Sequence, residues 1–322
     1  MVCQETPLNE FDVIRHLSRR LPEPPPEVVV PIGDDCAVLR LGDALWVAAA
    51  DMLVSGRHFK EWASPEDVGY KAVAANVSDV AAMGGVPRFV LASGGADNAE
   101  TTLRCMNGVL EACEEFGAYP LGGDTTGAAA LTVDVSILGQ LVHAPVLRSG
   151  ARPGDLLAVT GELGASAAGL VALESGDAGP KRLVRKHLRP ESRLVAGRAA
   201  ARLGAHAMID LSDGLASDVR HVCDRSGVGC RIDLDLLPIA GDTREYLRSG
   251  GRDPEVLAAT GGEDYELLVA VSEEVVEAWA SESEVPVSVI GEVTGEGVVF
   301  LRGGERVDGL SGWDHFAVLR GV

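Results

Sequence analysis

The feature of this 322-residue chain that most constrains its fold is a series of acidic clusters, most of them flanked by Gly, Ser or Asn, at the ends of apolar runs. They are Gly33-Asp34-Asp35, Asp51, Asn76-Val77-Ser78-Asp79, Gly122-Gly123-Asp124-Thr125-Thr126, Asp210-Leu211-Ser212-Asp213-Gly214 and Gly261-Gly262-Glu263-Asp264-Tyr265. A chain leaves its core where an apolar run ends, so these carboxylates are delivered to the rim of a core rather than spread over polar faces. Carboxylates gathered in one place repel each other unless a cation holds them. Hard divalent ions such as Mg²⁺ take oxygen ligands and are often bound by carboxylates together with substrate phosphates. A fold that collects these clusters is therefore expected to build a metal-dependent phosphate site.

The charge balance points the same way. A net charge of -20 disfavours nucleic acid and anionic membrane as partners, because both need Lys and Arg to neutralise phosphate. It also makes a polyphosphate hard to bind unless metal ions or local Arg residues intervene. The six cysteines, Cys3, Cys36, Cys105, Cys113, Cys223 and Cys230, include no C-x-x-C pair. Free buried thiols in a reducing compartment are expected rather than zinc ligands or a disulfide framework. Residues 1–10 lack a signal-peptide pattern, and no run of about 18 uncharged apolar residues occurs, so a cytoplasmic protein is expected.

Strands and helices alternate along both halves. Val28 to Ile32 and Leu45 to Ala50 read as strands ending at the first two acidic positions, and Pro65 to Met83 reads as a helix with Ser64 as N-cap and Pro65 in its first turn. On that helix Asn76 and Asp79 share a face. A strand at Arg88 to Ala92, a helix at Thr101 to Phe116 and a strand at Leu131 to Leu138 follow. The turn-rich Gly150-Ala151-Arg152-Pro153-Gly154-Asp155 marks a boundary, giving domains of 1–149 and 150–322. The second half reads as strands at Leu156 to Thr160, Ala207 to Ile209, Cys230 to Leu234, Tyr265 to Val271, Val287 to Ile290 and Val298 to Leu301. Its helices are expected at Glu191 to Leu203, from Ser212 as N-cap to Arg225, and at Glu273 to Ala280. Without a strict βαβ cadence, the fold class is α+β with mixed or antiparallel sheets.

Each motif alone has a bland reading. Gly33-Asp34-Asp35 is a common turn, Asp79 could pair with Lys71, Asp213 could serve a helix start, and Gly161 to Gly169 lacks the spacing of a P-loop or a dinucleotide fingerprint. Their joint occurrence is what turns the balance towards a site.

Taken together, the motifs resemble those of the thiamine-monophosphate kinase family, within the superfamily that holds aminoimidazole-ribonucleotide synthetase, selenophosphate synthetase and a hydrogenase maturation factor. The resemblance runs from about Phe11 to Phe316. Besides the acidic clusters it rests on His58-Phe59, Gly69-Tyr70-Lys71-Ala72, Ala81-Ala82-Met83-Gly84, Arg148-Ser149-Gly150, His187-Leu188-Arg189-Pro190, Glu263-Asp264-Tyr265-Glu266-Leu267 and Gly312-Trp313-Asp314-His315-Phe316. It implies two α+β domains of aminoimidazole-ribonucleotide-synthetase type, a homodimer formed through the N-terminal domains, and several Mg²⁺ ions bridging the phosphates of ATP. The implied reaction transfers the γ-phosphoryl group of ATP to the phosphate of thiamine monophosphate, giving thiamine diphosphate. Donor and acceptor are both anions, so metal charge and positioning carry the chemistry and no strong general base is required.

Carried over by position, the resemblance implies Asp34, Asp51, Asp79, Asp124, Asp210 and Asp213 as metal ligands and Gly123, Asp124, Arg148 and Ser212 at the nucleotide. Asp124, Arg148 and Asp213 would act on the transferring group, and His58, Glu263 and Trp313 would hold thiamine monophosphate. The family places hydroxyl residues just before the Asp51 position, where this chain has Ala49 and Ala50. There only backbone carbonyls remain for a metal, so one Mg²⁺ is expected to bind more weakly or through an extra water. A sister ATP-dependent synthetase and a non-catalytic thiamine-phosphate or nucleotide sensor would share the nucleotide motifs.

Overall fold

A computed structural model describes residues 10–177 and 180–313; the Asp314-His315-Phe316 part of the C-terminal motif and Cys3 lie outside the described residues. The first half contains α1 (Glu10–Ser18), β1 (Val28–Val30), β2 (Ala37–Leu41), β3 (Ala44–Val54), α2 (Pro65–Ala82), β4 (Gly85–Ala96), α3 (Ala99–Phe116), β5 (Tyr119–Gly122), β6 (Thr125–Gly127) and β7 (Thr132–Leu141). The second contains β8 (Leu156–Thr160), α4 (Ala165–Ser175), α5 (Lys181–Leu188), α6 (Leu194–Leu203), β9 (Ala207–Asp210), α7 (Leu215–Ser226) and β10 (Gly229–Asp233). It continues through α8 (Gly241–Ser249), α9 (Pro254–Thr260), β11 (Leu267–Val271), α10 (Glu273–Glu282), β12 (Val287–Thr294), β13 (Val298–Arg302) and β14 (Glu305–Val307).

Among the described residues each half forms one seven-stranded mixed sheet. The first runs β1-β2-β3-β7-β4-β5, with β6 also paired to β4; the second runs β14-β13-β10-β12-β8-β11-β9. Most pairs are antiparallel, with parallel pairings of β4 to β5 and β6 and of β10 to β13. This is the expected α+β class. No helix among the described residues is long and apolar enough to cross a membrane.

Several elements extend past their expected ends, and one extension matters for the site. β3 does not stop at Ala50 but continues through Asp51 to Val54, because β7 pairs with it along that whole length from Leu45↔Leu141 to Val54↔Thr132. Its other neighbour, β2, reaches only as far as Ala37↔Ala48. From Ala49 onward β3 therefore has a strand partner on one edge alone. The turn Gly33-Asp34-Asp35-Cys36, which leads into β2, comes down beside that edge.

The helix α2 keeps its expected start. Ser64 caps it, its Oγ accepting from the Asp67 N–H, and Pro65 opens the first turn. The expected apolar stripe proves to be burial on nearly every side, because α2 lies between the first sheet, α3 and the helix α6 of the second half. Small residues allow the close approach. A Cβ on Gly69 would lie 1.9 Å from the Cys105 carbonyl oxygen, and one on Gly108 would lie 1.9 Å from that of Glu66. Gly108→Ala is expected to destabilise the protein by about 3 kcal/mol, the upper end of overpacking costs, since both neighbours are backbone. Urea denaturation checks this, and an unchanged midpoint would mean that α3 can shift freely.

Candidate active site

The three elements that meet between the halves each deliver one carboxylate. Asp35 precedes β2, Asp79 lies in the last turn of α2, and Asp210 ends β9; one oxygen from each falls within 4.8 Å of the other two. Asp79 reaches this point because α2 packs across β9. The adjacent Ser78 donates its hydroxyl to Asp210 Oδ2 at 2.7 Å. Asp35 Oδ1 accepts from Arg148 Nη2 at 2.7 Å and Nε at 3.1 Å.

The electrostatics of this trio are those of an unneutralised anionic site. Burial raises the carboxyl of Asp210 to about 8, with Asp35 adding to the effect. Asp79 is pushed well above the ordinary carboxylate range by burial and then by Asp51, Asp210 and Asp35. Asp35 is raised by burial in spite of the Arg148 guanidinium. One arginine does not offset three crowded carboxylates, two of them buried and one partly so. Asp35 Oδ2 and Asp218 Oδ2 are buried oxygens without a hydrogen-bond partner. Asp218 stands in the first turn of α7, where Asp213 and Asp210 raise its carboxyl further after burial has done so. An all-oxygen donor set with orphaned lone pairs fits Mg²⁺.

The trio contains Asp79 and Asp210 from the expected ligands, but Asp35 rather than Asp34. The Asp34 carboxylate turns the other way and accepts from the Arg148 backbone N–H at 3.1 and 3.2 Å and from that of Asp35 at 3.1 Å. Burial and Asp35 raise it to about 6. Asp51 sits on the singly paired edge of β3, near enough for its charge to be the largest carboxylate influence on Asp79. Ala49 and Ala50 lie on that same edge, paired to Ile137 and Ser136 of β7. Asp124 occupies the break between β5 and β6 with its carboxylate accepting from the Thr125 N–H, and stands outside the trio. Gly123 beside it has φ of 155°, and a Cβ there would lie 1.7 Å from the Ala92 carbonyl oxygen.

Ser212 does not cap a helix. The cap of α7 is Gly214, at φ of 104°, with no side-chain cap bond, and Asp213 therefore precedes the helix instead of entering its first turn. A Cβ on Gly214 would lie 2.9 Å from the Thr260 carbonyl group, which accounts for glycine at that point. The strand-to-helix segment is tied instead to the Gly-Gly-Glu-Asp-Tyr motif. Glu263 N–H donates to Ser212 O at 2.8 Å, and Tyr265 N–H donates to Leu211 O at 3.0 Å. Trp313, 44% exposed, is anchored by its own N–H to Asp213 O at 2.9 Å.

Glu263 also explains Lys71. The ammonium does not pair with Asp79; its Nζ lies 2.7 Å from Glu263 Oε1. His187 Nδ1 lies 3.4 Å from the other oxygen. His58, expected to meet substrate, accepts the Val54 N–H at Nδ1 and lies close enough for its charge to bear on Glu263. Asp35, Asp218, Lys71 and His187 were not picked out as functional residues by reading the chain. Asp35 carried a signal as the second member of an acidic doublet, and Lys71 and His187 stood in motifs of the family resemblance without a role assigned to them.

Comparison with known proteins agrees with this architecture. Residues 33–141 match the model for "AIR synthase related protein, N-terminal domain", and residues 152–304 match that for the corresponding C-terminal domain. The chain is 39% identical over 318 residues to the thiamine-monophosphate kinase of Mycobacterium tuberculosis, covering 96% of this chain and 92% of that protein. It is 38% identical over 329 residues to the enzyme of the same name from Escherichia coli K12, covering 96% and 98%. A solved structure of "AaThiL complexed with AMPPCP and TMP" superposes with a TM-score of 0.86 at 33% identity, covering 97% of this chain and all of that one. The trio of carboxylates, the Arg148 beside it and the Glu263 arm thus stand on the scaffold of known relatives, and the chain belongs to the thiamine-monophosphate kinase family.

Proposed function

We propose that this chain is an ATP-dependent, Mg²⁺-requiring kinase that phosphorylates the phosphate group of thiamine monophosphate to give thiamine diphosphate. The observation that carries the reading is the Asp35, Asp79 and Asp210 trio with Arg148 at one end of the interdomain surface and the Glu263 arm near by, on a chain whose relatives bear this name. When bound, Mg²⁺ supplies the positive charge that lets two phosphate anions approach and that stabilises the transferring group.

The residues of the chain hold and orient. Asp35, Asp79 and Asp210, with Asp51, Asp124, Asp213 and the backbone carbonyls of Ala49 and Ala50, are the ligand set that would share several Mg²⁺ ions. Asp34 supports the set indirectly by fixing the Arg148 backbone. Gly123, whose missing side chain lets this segment lie against the Ala92 carbonyl, and Ser212 would meet the nucleotide. Arg148 would neutralise a phosphoryl oxygen. Glu263, His58 and Trp313 would hold the acceptor, whose thiazolium cation and aminopyrimidine suit a carboxylate and an aromatic face. In this scheme residues 1–149 provide most metal ligands and residues 150–322 complete the nucleotide and acceptor sites. The five described cysteines are free and buried, which suits a reducing cytoplasm.

Incubation with ATP, Mg²⁺ and thiamine monophosphate, followed by chromatography for thiamine diphosphate, tests the reading. ATP consumption that requires a different acceptor would point to a sister synthetase, and binding without turnover would point to a sensor.

A homodimer belongs to the same proposal. The face of the first sheet turned away from α2 carries Leu91, Met52 and Leu121, each about half exposed, and Leu91 and Leu121 line a hollow of about 420 Å³ with Ala48, Ala50 and Leu138. Apolar patches of this kind mark interfaces, and a second copy of the same sheet face would cover it. Light scattering is expected to give a dimer for the native chain and a monomer for Leu91→Glu. A native monomer would remove the dimer from the scheme.

A further inference from the structure

Glu263 is held by more devices than a structural ion pair requires. Lys71 is 4% exposed, and its ammonium is committed to Glu263 Oε1 at 2.7 Å. On the other side, His187 is fully buried, with Nδ1 at 3.4 Å from Glu263 Oε2 and 3.0 Å from Ser166 Oγ. With its proton on Nδ1 the ring donates towards both. Burial and the Lys71 charge lower the imidazole to about 3, so His187 is neutral and contributes direction rather than charge.

The backbone adds two more constraints. Among the described residues, Glu263 at φ of 65° and Tyr265 at 51° are the non-glycine residues with positive φ. Such conformations cost free energy and persist where the surroundings over-determine them, most often at ligand sites. Here the N–H groups of these same two residues are bound to Ser212 and Leu211, which belong to the segment carrying Asp210 and Asp213. The side chain that results is 24% exposed. Its inner contacts are saturated by Lys71 and His187, and the rest of the carboxylate faces outward. Burial alone would neutralise it, but the Lys71 ammonium holds the carboxyl below its ordinary value. If stability were the only requirement, an apolar pair would serve as well as a buried ion pair.

We propose that Lys71 and His187 are positioning residues for the phosphate acceptor, holding the Glu263 carboxylate in one orientation towards thiamine monophosphate. This inference rests on the acceptor role given to Glu263 above. It draws on a helix of the N-terminal half, α2, and a helix of the C-terminal half, α5, so the acceptor arm is set only when the two halves are packed. The ammonium behind the carboxylate also offsets part of its charge and leaves Glu263 a weaker ligand for a metal ion.

A double-substitution cycle tests it. Lys71→Met is expected to raise KM for thiamine monophosphate about tenfold, equivalent to about 1.4 kcal/mol of binding, while KM for ATP changes less than about twofold. In a Glu263→Gln background the same substitution should add nothing, because Lys71 acts through Glu263, whereas independent roles would add. The His187→Asn cycle gives the same readout if Lys71→Met alone does not fold, and calorimetric titration with thiamine monophosphate gives affinities free of kinetic terms. Additive effects, or KM values for ATP and thiamine monophosphate that rise together with a fall in Tm, would overturn the positioning role. A native chain that forms no thiamine diphosphate and does not bind thiamine monophosphate would instead overturn the acceptor reading itself.

Discussion

Asp79→Asn is expected to lower phosphoryl transfer by at least about 10³-fold while making the metal-free protein more stable, a metal ion at a transferring phosphoryl group being worth several kcal/mol. The two effects have one cause. Asp79 lies within 4.8 Å of Asp35 and Asp210 oxygens, and those carboxylates, together with Asp51, push its own carboxyl well above the usual range. An amide of the same shape removes the cost of holding that carboxyl uncharged beside its neighbours and keeps the packing of α2 against β9. It also removes a ligand, so Mg²⁺ binds less well and the field that would draw two phosphates together is weakened. Turnover and thermal melting in EDTA check both halves. A variant with native activity would remove Asp79 from the site, and a lower melting temperature in EDTA would show that the trio is not electrostatically strained.

The second large effect concerns pH and metal together. In EDTA the protein is expected to lose stability steadily as pH rises from about 5 to about 8, and saturating Mg²⁺ should restore more stability at the upper end than at the lower. The sign follows from the direction of the shifts. Asp210 is raised from 3.8 to about 8 and Asp34 to about 6, and Asp35 and Asp79 are also raised. Between the ordinary and the folded values the native state binds more protons than the unfolded chain. Stability from these groups is then fully present below the ordinary value and is lost as pH rises through the folded ones, at about 1.4 kcal/mol per pH unit for each proton held. Mg²⁺ competes with those protons for the same oxygens. At a hundred times its dissociation constant it would add about 2.7 kcal/mol. Melting curves across that range, with EDTA and with Mg²⁺, decide the matter; a flat or rising profile in EDTA would count against a proton-bearing trio.

Much of the scaffold was legible in the chain because its signals are local. Ser64 and Pro65 are read from a cap and a fixed φ, and the observed α2 begins where they place it. The strand Leu156–Thr160 is a short apolar run between turn residues, and its observed limits are the expected ones. The helices α5, α8 and α9 were not anticipated: they span only eight, nine and seven residues, and all three pack against α4, a contact that no local pattern announces. Ser212 was misread for the opposite reason. Its local pattern suits a cap, but the backbone bonds from Glu263 and Tyr265 hold the segment open and delay the helix to Leu215.

By itself the sequence determined the inventory and the family: acidic clusters at the ends of apolar runs, a mixed α+β layout in two halves, and motifs shared with thiamine-monophosphate kinases. Tertiary structure decided which members of those clusters work together. Nothing local separates Asp34 from Asp35. Arg148, 113 residues further on, binds the side chain of Asp35 through its guanidinium and that of Asp34 through its backbone, and so turns one carboxylate into the trio and the other away. Lys71 stands two turns before Asp79 on one helix, yet it pairs with Glu263 from the other half. Periodicity and capping act over a few residues, whereas a buried charge takes the counter-charge that folding brings within hydrogen-bond distance, wherever in the chain it lies.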